Sequence, residues 1–156
     1  MSYFREPRNC ELSVIDYIET QINASWSGIT TVKAFQDAYK ASLPVISVAL
    51  GPIDPNKKEI GSTDTIEDYT INIDIFAKSD GQKIDLASFI LTQLKIGCVY
   101  YEYSQTSGAP ETLTKVANGR LRVTRFLGNY PIDFGGDGVN KYDQHRFFIS
   151  CQLRRS

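Results

Sequence analysis

From Tyr69 to Ala77 the chain alternates without a break: Tyr69, Ile71, Ile73 and Ile75 fall on one side of an extended strand, and Thr70, Asn72 and Asp74 on the other. A period of two residues suits a strand with one face on a core and the other toward solvent or a partner. A short turn, Ser79-Asp80-Gly81-Gln82, follows, and the period then becomes helical. Ser79 and Gln82 have the spacing of a capping box, the helix spans Gln82–Lys95, and Gly97 stops it. Ile84, Ala87, Leu91 and Leu94 form its main stripe. Leu86, Phe89 and Ile90 widen that stripe beyond what one sheet contact needs. Either the helix lies deep between the sheet and another helix, or it also touches a neighbouring subunit.

The rest of the chain fills out the same pattern. Asn9 caps a first helix over Cys10–Ile22, with Leu12, Ile15, Ile18 and Ile22 as its stripe and Glu11 in its first turn. Ile29–Tyr39 and Pro44–Leu50 read as strands. Gly51 to Asp68 is polar, has Pro52 and Pro55, and lacks periodicity. Loops of that length are usually functional or disordered. Because strands that can pair flank it, it reads as the extended tip of a long antiparallel hairpin. Cys98–Tyr103 is a further strand, Asn118-Gly119 marks a turn before a strand at Arg120–Leu127, and Asn129–Tyr142 reads as irregular. The last strand, Gln144–Leu153, sets His145, Phe147, Ile149, Cys151 and Leu153 against Arg146, Phe148, Ser150 and Gln152. The expected fold class is α+β: two helices packed on a largely antiparallel sheet with a long extended hairpin, in one domain over residues 1–156.

Bulk properties narrow the function. Hydrophobic content of 42% and charged content of 22% are those of a globular chain. The net charge of −1 gives no global attraction to nucleic acid or anionic membranes. Residues 1–111 hold 9 basic and 15 acidic groups, whereas residues 112–156 hold 8 basic and 3 acidic. This asymmetry allows one copy to dock on another; alternatively, the two signs mix in three dimensions. Cys10, Cys98 and Cys151 are far apart and odd in number, implying neither a zinc set nor a disulfide framework and fitting a reducing compartment. No secretory h-region and no apolar run long enough for a bilayer is present, so Asn23-Ala24-Ser25 is not read as a glycosylation site.

Catalytic patterns are lacking. His145 is the single histidine and reads as a structural residue at the core edge. Asp133-Phe134-Gly135 matches the magnesium tripeptide of kinases, but the kinase lysine strand and catalytic loop are missing. Asp133, Asp137, Asn140 and Asp143 do not have EF-hand spacing. The reading therefore contains no catalytic residue, metal or cofactor. Arg120, Arg122 and Arg146 alternate along strands as residues lining one exposed sheet face would, with Arg125 near the strand end; they suit a protein contact, plain solvation or phosphate contact. Lys57, Lys58 and Glu59 at the hairpin tip carry the same alternatives.

The order of these segments, a helix at Cys10–Ile22, strands at Ile29–Tyr39, Pro44–Leu50 and Tyr69–Ala77, and a helix at Gln82–Lys95 entered through Ala77-Lys78-Ser79-Asp80-Gly81, resembles the tail-terminator proteins of tailed bacteriophages. The resemblance covers the chain to Tyr103 and more loosely the later strands; the Gly-rich Asn129–Tyr142 is longer than the family pattern. It implies a non-enzymatic virion protein, assembled in the host cytoplasm and placed at the tail–neck junction. Copies, six by the family habit, would form a ring that caps the tail tube, stops its polymerisation and joins tail to head. Implied partners are other copies, the tail tube protein, a head-completion or neck protein, and DNA passing along the channel, with no membrane. The interface residues under this reading are Lys57, Lys58, Glu59, Arg120, Arg122 and Arg125. The alternatives are a head-completion or neck protein and, from another class, a small-ligand binding domain or enzyme using Tyr100, Tyr101, Tyr103 and His145.

Overall fold

A computed structural model describes residues 2–57, 60, 65–106, 112–132 and 140–156. In chain order the elements are β1 (Ser2–Tyr3), α1 (Glu6–Ser25), β2 (Thr30–Lys33), α2 (Phe35–Ala38), β3 (Val45–Lys57), β4 (Thr65–Phe76), α3 (Asp80–Ile96), β5 (Cys98–Gln105), β6 (Leu113–Ile132) and β7 (Arg146–Arg155). The strands form one sheet in the order β1-β5-β6-β7-β4-β3-β2, antiparallel throughout except for β2 beside β3. The fold is mixed α+β and dominated by its sheet.

The alternation of β4 sets the main core. Tyr69, Ile71, Ile73 and Ile75 are buried with Ile46 and Val48 of β3 and Ile149, Cys151 and Leu153 of β7. From the helices come Cys10, Val14, Ile18 and Ile22 of α1 and Leu86, Ala87, Ile90 and Leu94 of α3. Fully burying each such aliphatic side chain contributes about 1.5–3 kcal/mol. On α3 the buried stripe starts at Leu86, and Ile84, expected within it, is 53% exposed.

Several expectations need correction. The described residues hold three helices, not two, because Ile29–Tyr39 is not one strand. Ala34 turns the chain at φ 68°, ending β2, and Phe35 and Tyr39 then stack on Phe76 across the opposite face of the sheet. Phe76 and Tyr39, with Ala38 and Val45, build a second, smaller core there. Helix α1 starts at Glu6 with Pro7 in its first turn, so Asn9 lies within the helix instead of capping it. Asn9 Nδ2 donates to Phe4 O at 3.1 Å and Tyr100 Oη at 3.2 Å, and Asn9 Oδ1 accepts from Tyr103 N at 3.0 Å.

The long antiparallel hairpin expected over Gly51 to Asp68 is present, but β3 does not close at Leu50: it runs through Gly51-Pro52 by a register shift, and its ladder with β4 continues to Lys57↔Thr65. Asn118-Gly119 does not end a strand, because β6 passes through it, pairing with β5 up to Leu121 and with β7 from there on. Gly119 is at φ +105°, and a Cβ there would sit 2.6 Å from the Ser156 carbonyl, so glycine lets the C-terminus close against β6. Asn129–Ile132, expected to be irregular, continue β6.

The capping of α3 follows local chemistry. Ser79 Oγ accepts from Gln82 N at 3.2 Å, and Gln82 Oε1 accepts from Lys78 N at 2.8 Å. Gly97 follows the helix at φ +83°, where a Cβ would lie 2.8 Å from the Leu121 carbonyl.

Candidate functional site

Three parts of the surface were candidates: the hairpin tip, the arginines of β6 and the tyrosines of β5. At the tip, Lys58 and Glu59 lie outside the described residues, and Lys57 ends β3 opposite Thr65. The last pairing of β7 with β4 is Arg154↔Asp68. The β3–β4 ladder runs on from there through Pro55–Lys57 with Thr65–Glu67.

The three β6 arginines do not act as one set. Arg120 is half-buried and donates to Ile96 O at 3.4 Å, a cation set against the C-terminal end of α3. Arg122 and Arg125 are exposed and make no ion pair among the described residues. Arg122 stands opposite Arg154 and Arg125 opposite Gln152, with an extra β6 residue between them. Arg146, on the strand position that suggested an exposed face, is buried: its guanidinium meets Asp74 Oδ1 at 2.7 Å and Asp143 Oδ1 at 3.3 Å.

Around Arg122 and Arg125 the face of the sheet opposite α1 and α3 carries a polar network. Arg154 binds Asp68 in a fork, Nε to Oδ1 at 2.9 Å and a terminal nitrogen to Oδ2 at 3.0 Å. Asn56 Nδ2 donates to Asp68 Oδ2 at 2.8 Å, Gln152 Nε2 to Asp54 Oδ2 at 2.6 Å, and Ser150 Oγ to Asn72 Oδ1 at 2.8 Å. A strand whose second face merely met water would leave these groups solvated, yet Asp68, Thr70, Asp74, Ser150 and Gln152 are all buried. Reading the sequence singled out none of Asp54, Asp68 and Arg154. The alternation of β4 and β7 places such residues on one face, but only the register pairs Asp68 with Arg154.

The tyrosines and His145 are not brought together. Tyr100, Tyr101 and Tyr103 lie on β5, which pairs with the first part of β6, whereas His145 precedes β7 at its other end, its carbonyl accepting from Ala77 N at 2.8 Å. A cleft of about 560 Å³ opens between α1, the end of α3 and β5. Part of its polar lining is already engaged: Tyr17 Oη donates to Gln93 Oε1 at 2.8 Å, and Lys115 binds Asp16 while lying 4.4 Å from the Tyr101 ring centroid. Among the described residues no three His, Cys, Asp or Glu side chains gather as a metal site, and no helix is long and apolar enough to cross a membrane. Asp133 and Asp137 lie outside the described residues, and Asp143 is engaged by Arg146 and by Tyr39 Oη at 3.1 Å.

Cys10, Cys98 and Cys151 are buried free thiols in the main core. Burial pushes Cys98 and Cys151 up to about 12, and Cys10 further, helped by the neighbouring Cys98. With almost no thiolate at neutral pH, none should react with a disulfide reagent within minutes in the folded protein, and all three should react in denaturant. Rapid native labelling would show the core opening around α1.

No protein-family model matches this sequence, and no match emerges among curated proteins.

Proposed function

We propose that the chain is the subunit of a tail-terminator ring: several copies, six by the resemblance, cap the tube of a bacteriophage tail and join it to the head or neck. The observation that carries this reading is the long β3–β4 hairpin, whose ladder continues from Val45↔Phe76 through a register shift to Lys57↔Thr65. A hairpin of this length gives a subunit reach over a neighbour or onto a tube end. The order of α1, β2, β3, β4, α3 and the later strands also supports it, as does the engagement of part of the cleft's polar lining within the chain itself.

The mechanism is occlusion. A closed ring of head-to-tail contacts covers the growing end of the tube with a face that accepts no further tube subunit, and offers its other face to a head-completion or neck protein. No bond is made or broken, and no residue acts as an acid, base or nucleophile. DNA passes along the axis, and the ring belongs to the virion at the tail–neck junction.

The test is elongation of tail tubes from purified tube protein, followed by electron microscopy. Added terminator should halt growth and appear as extra density at one tube end. A variant lacking residues 57–63 should keep its melting curve but lose capping. Unchanged tube lengths at saturating protein would overturn the reading.

A further inference from the structure

An unpaired strand edge presents obligatory donors and acceptors, and proteins usually blunt such edges. Two margins of this sheet are blunted, and a third, at β2, is only short. The outer edge of β5 is met by β1, by Asn9 Oδ1 on Tyr103 N at 3.0 Å, and by Ser13 Oγ on Tyr101 N at 3.0 Å. The outer edge of upper β3 has its Leu50 N–H taken by Glu11 Oε2 at 2.7 Å and then carries Pro52 and Pro55, which lack the donor. β2 is short, with only Thr30–Lys33.

Along β6 beyond Leu121 the blunting is only partial: Pro131 lacks the donor and two register shifts interrupt the strand. Beyond Leu121 no described strand pairs with its side away from β7. The Arg120–Ser156 pair exchanges both backbone bonds, 3.2 and 2.9 Å. Antiparallel alternation from that pair turns Arg122, Arg125, Gly128, Tyr130 and Ile132 toward β7, and Val123, Phe126, Asn129 and Pro131 away from it, the first three with N–H donors that no described strand takes. Two register shifts, Val123/Arg125 and Phe126/Gly128, preserve this phase.

The opposite margin matches it in direction and charge. β6 runs against β7, β7 against β4, β4 against β3, and β2 parallel to β3, so β6 and β2 are antiparallel. The cross-strand row that starts at Arg122 continues through Arg154 and Asp68 and ends at Asp54 of β3. The row that starts at Asn129 continues through Ile149, Ile73 and Val48 and ends at Lys33 of β2. Since Thr30 N donates to Pro44 O, just before β3, and Ala34 N to Val48 O of β3, Thr31 and Lys33 turn their backbone groups outward.

We infer that the open edge of β6 in one copy continues the sheet of a second copy, pairing antiparallel with its β2 and setting Arg122 and Arg125 beside its Asp54. The contact is heterologous, leaving each copy one used and one free margin until a ring closes. It deepens the ring reading and rests on it for the claim of closure. An edge flanked by arginines repels a second edge of the same kind, which disfavours a two-fold β6–β6 pairing and selects the margin that carries Asp54.

The test is sedimentation velocity on the full chain over a concentration series. Wild type should associate. Arg122→Glu and Asp54→Arg should each raise the dissociation constant by about fivefold or more, and the double swap should restore it. Asn129→Pro should abolish association without shifting the melting curve, because its N–H faces the open side; should that variant misfold, the charge swap still decides. A wild type monomeric throughout, single reversals without effect, or a swap that does not rescue would each overturn the contact. Association that responds as expected while tubes stay uncapped keeps the contact and rejects the tail reading. Capping that ignores these variants does the reverse.

Discussion

Arg146→Ala should lower the unfolding free energy by about 3–5 kcal/mol, a large share of the roughly 5–15 kcal/mol that holds a domain folded. Arg146 and Asp74 stand on neighbouring strands with side chains 9% and 10% exposed, 2.7 Å apart. The guanidinium also reaches Asp143 at 3.3 Å and lies 4.9 Å from the ring centroids of both Phe35 and Phe76. Truncation leaves the Asp74 carboxylate buried without its cation and removes the planar group against which α2 packs. Arg146→Lys should recover little, because an ammonium neither forks onto two carboxylates nor stacks between rings. Urea unfolding with an unchanged m-value measures the loss.

The same pair predicts a pH dependence. Burial holds the Asp74 carboxyl above its usual range, and the hydrogen bond and charge of Arg146 oppose that rise. A carboxyl with a folded pKa above its unfolded value destabilises the fold when ionised; the penalty is absent below the unfolded value and complete above the folded one. In Arg146→Ala the opposing cation is gone, so the penalty grows. The stability gap between wild type and variant should therefore be widest near neutral pH and narrow as pH falls through the Asp74 titration. A gap independent of pH would assign the loss to aromatic packing alone.

Ile73→Ala should cost about 2–5 kcal/mol, and Ile73→Val about 0.5–1.5 kcal/mol. Ile73 is fully buried, midway along β4, paired to Val48 on one side and Ile149 on the other, all three in the main core. With a strand bonded on each side, the backbone has little room to collapse into the cavity. Asn72→Ala next to it, on the opposite face, loses one bond to Ser150 and should cost only about 1 kcal/mol. Equal losses at the two positions would mean that the polar face contributes as much as the core.

Local signals were enough wherever a residue's role depended on its chain neighbours. The alternation of Tyr69, Ile71, Ile73 and Ile75 identified the face of β4 that enters the main core, and Ser79 and Gly97 marked where α3 begins and ends. Side-chain period and capping geometry act over a few residues, so they are written in the sequence. The candidate site was legible only in fragments: Arg122 and Arg125 were singled out, whereas Asp54, Asp68 and Arg154 were not. Those three meet through cross-strand register between residues as far apart as Asp68 and Arg154, which no local window contains. The same holds for the burial of Arg146, for the aromatic stack that makes Phe35–Ala38 a helix, and for Asn118-Gly119 continuing a strand where such a pair alone suggests a turn. In each case the decision came from a partner elsewhere in the chain, because the free energy of a buried pair or a paired strand exists only once both members are in place.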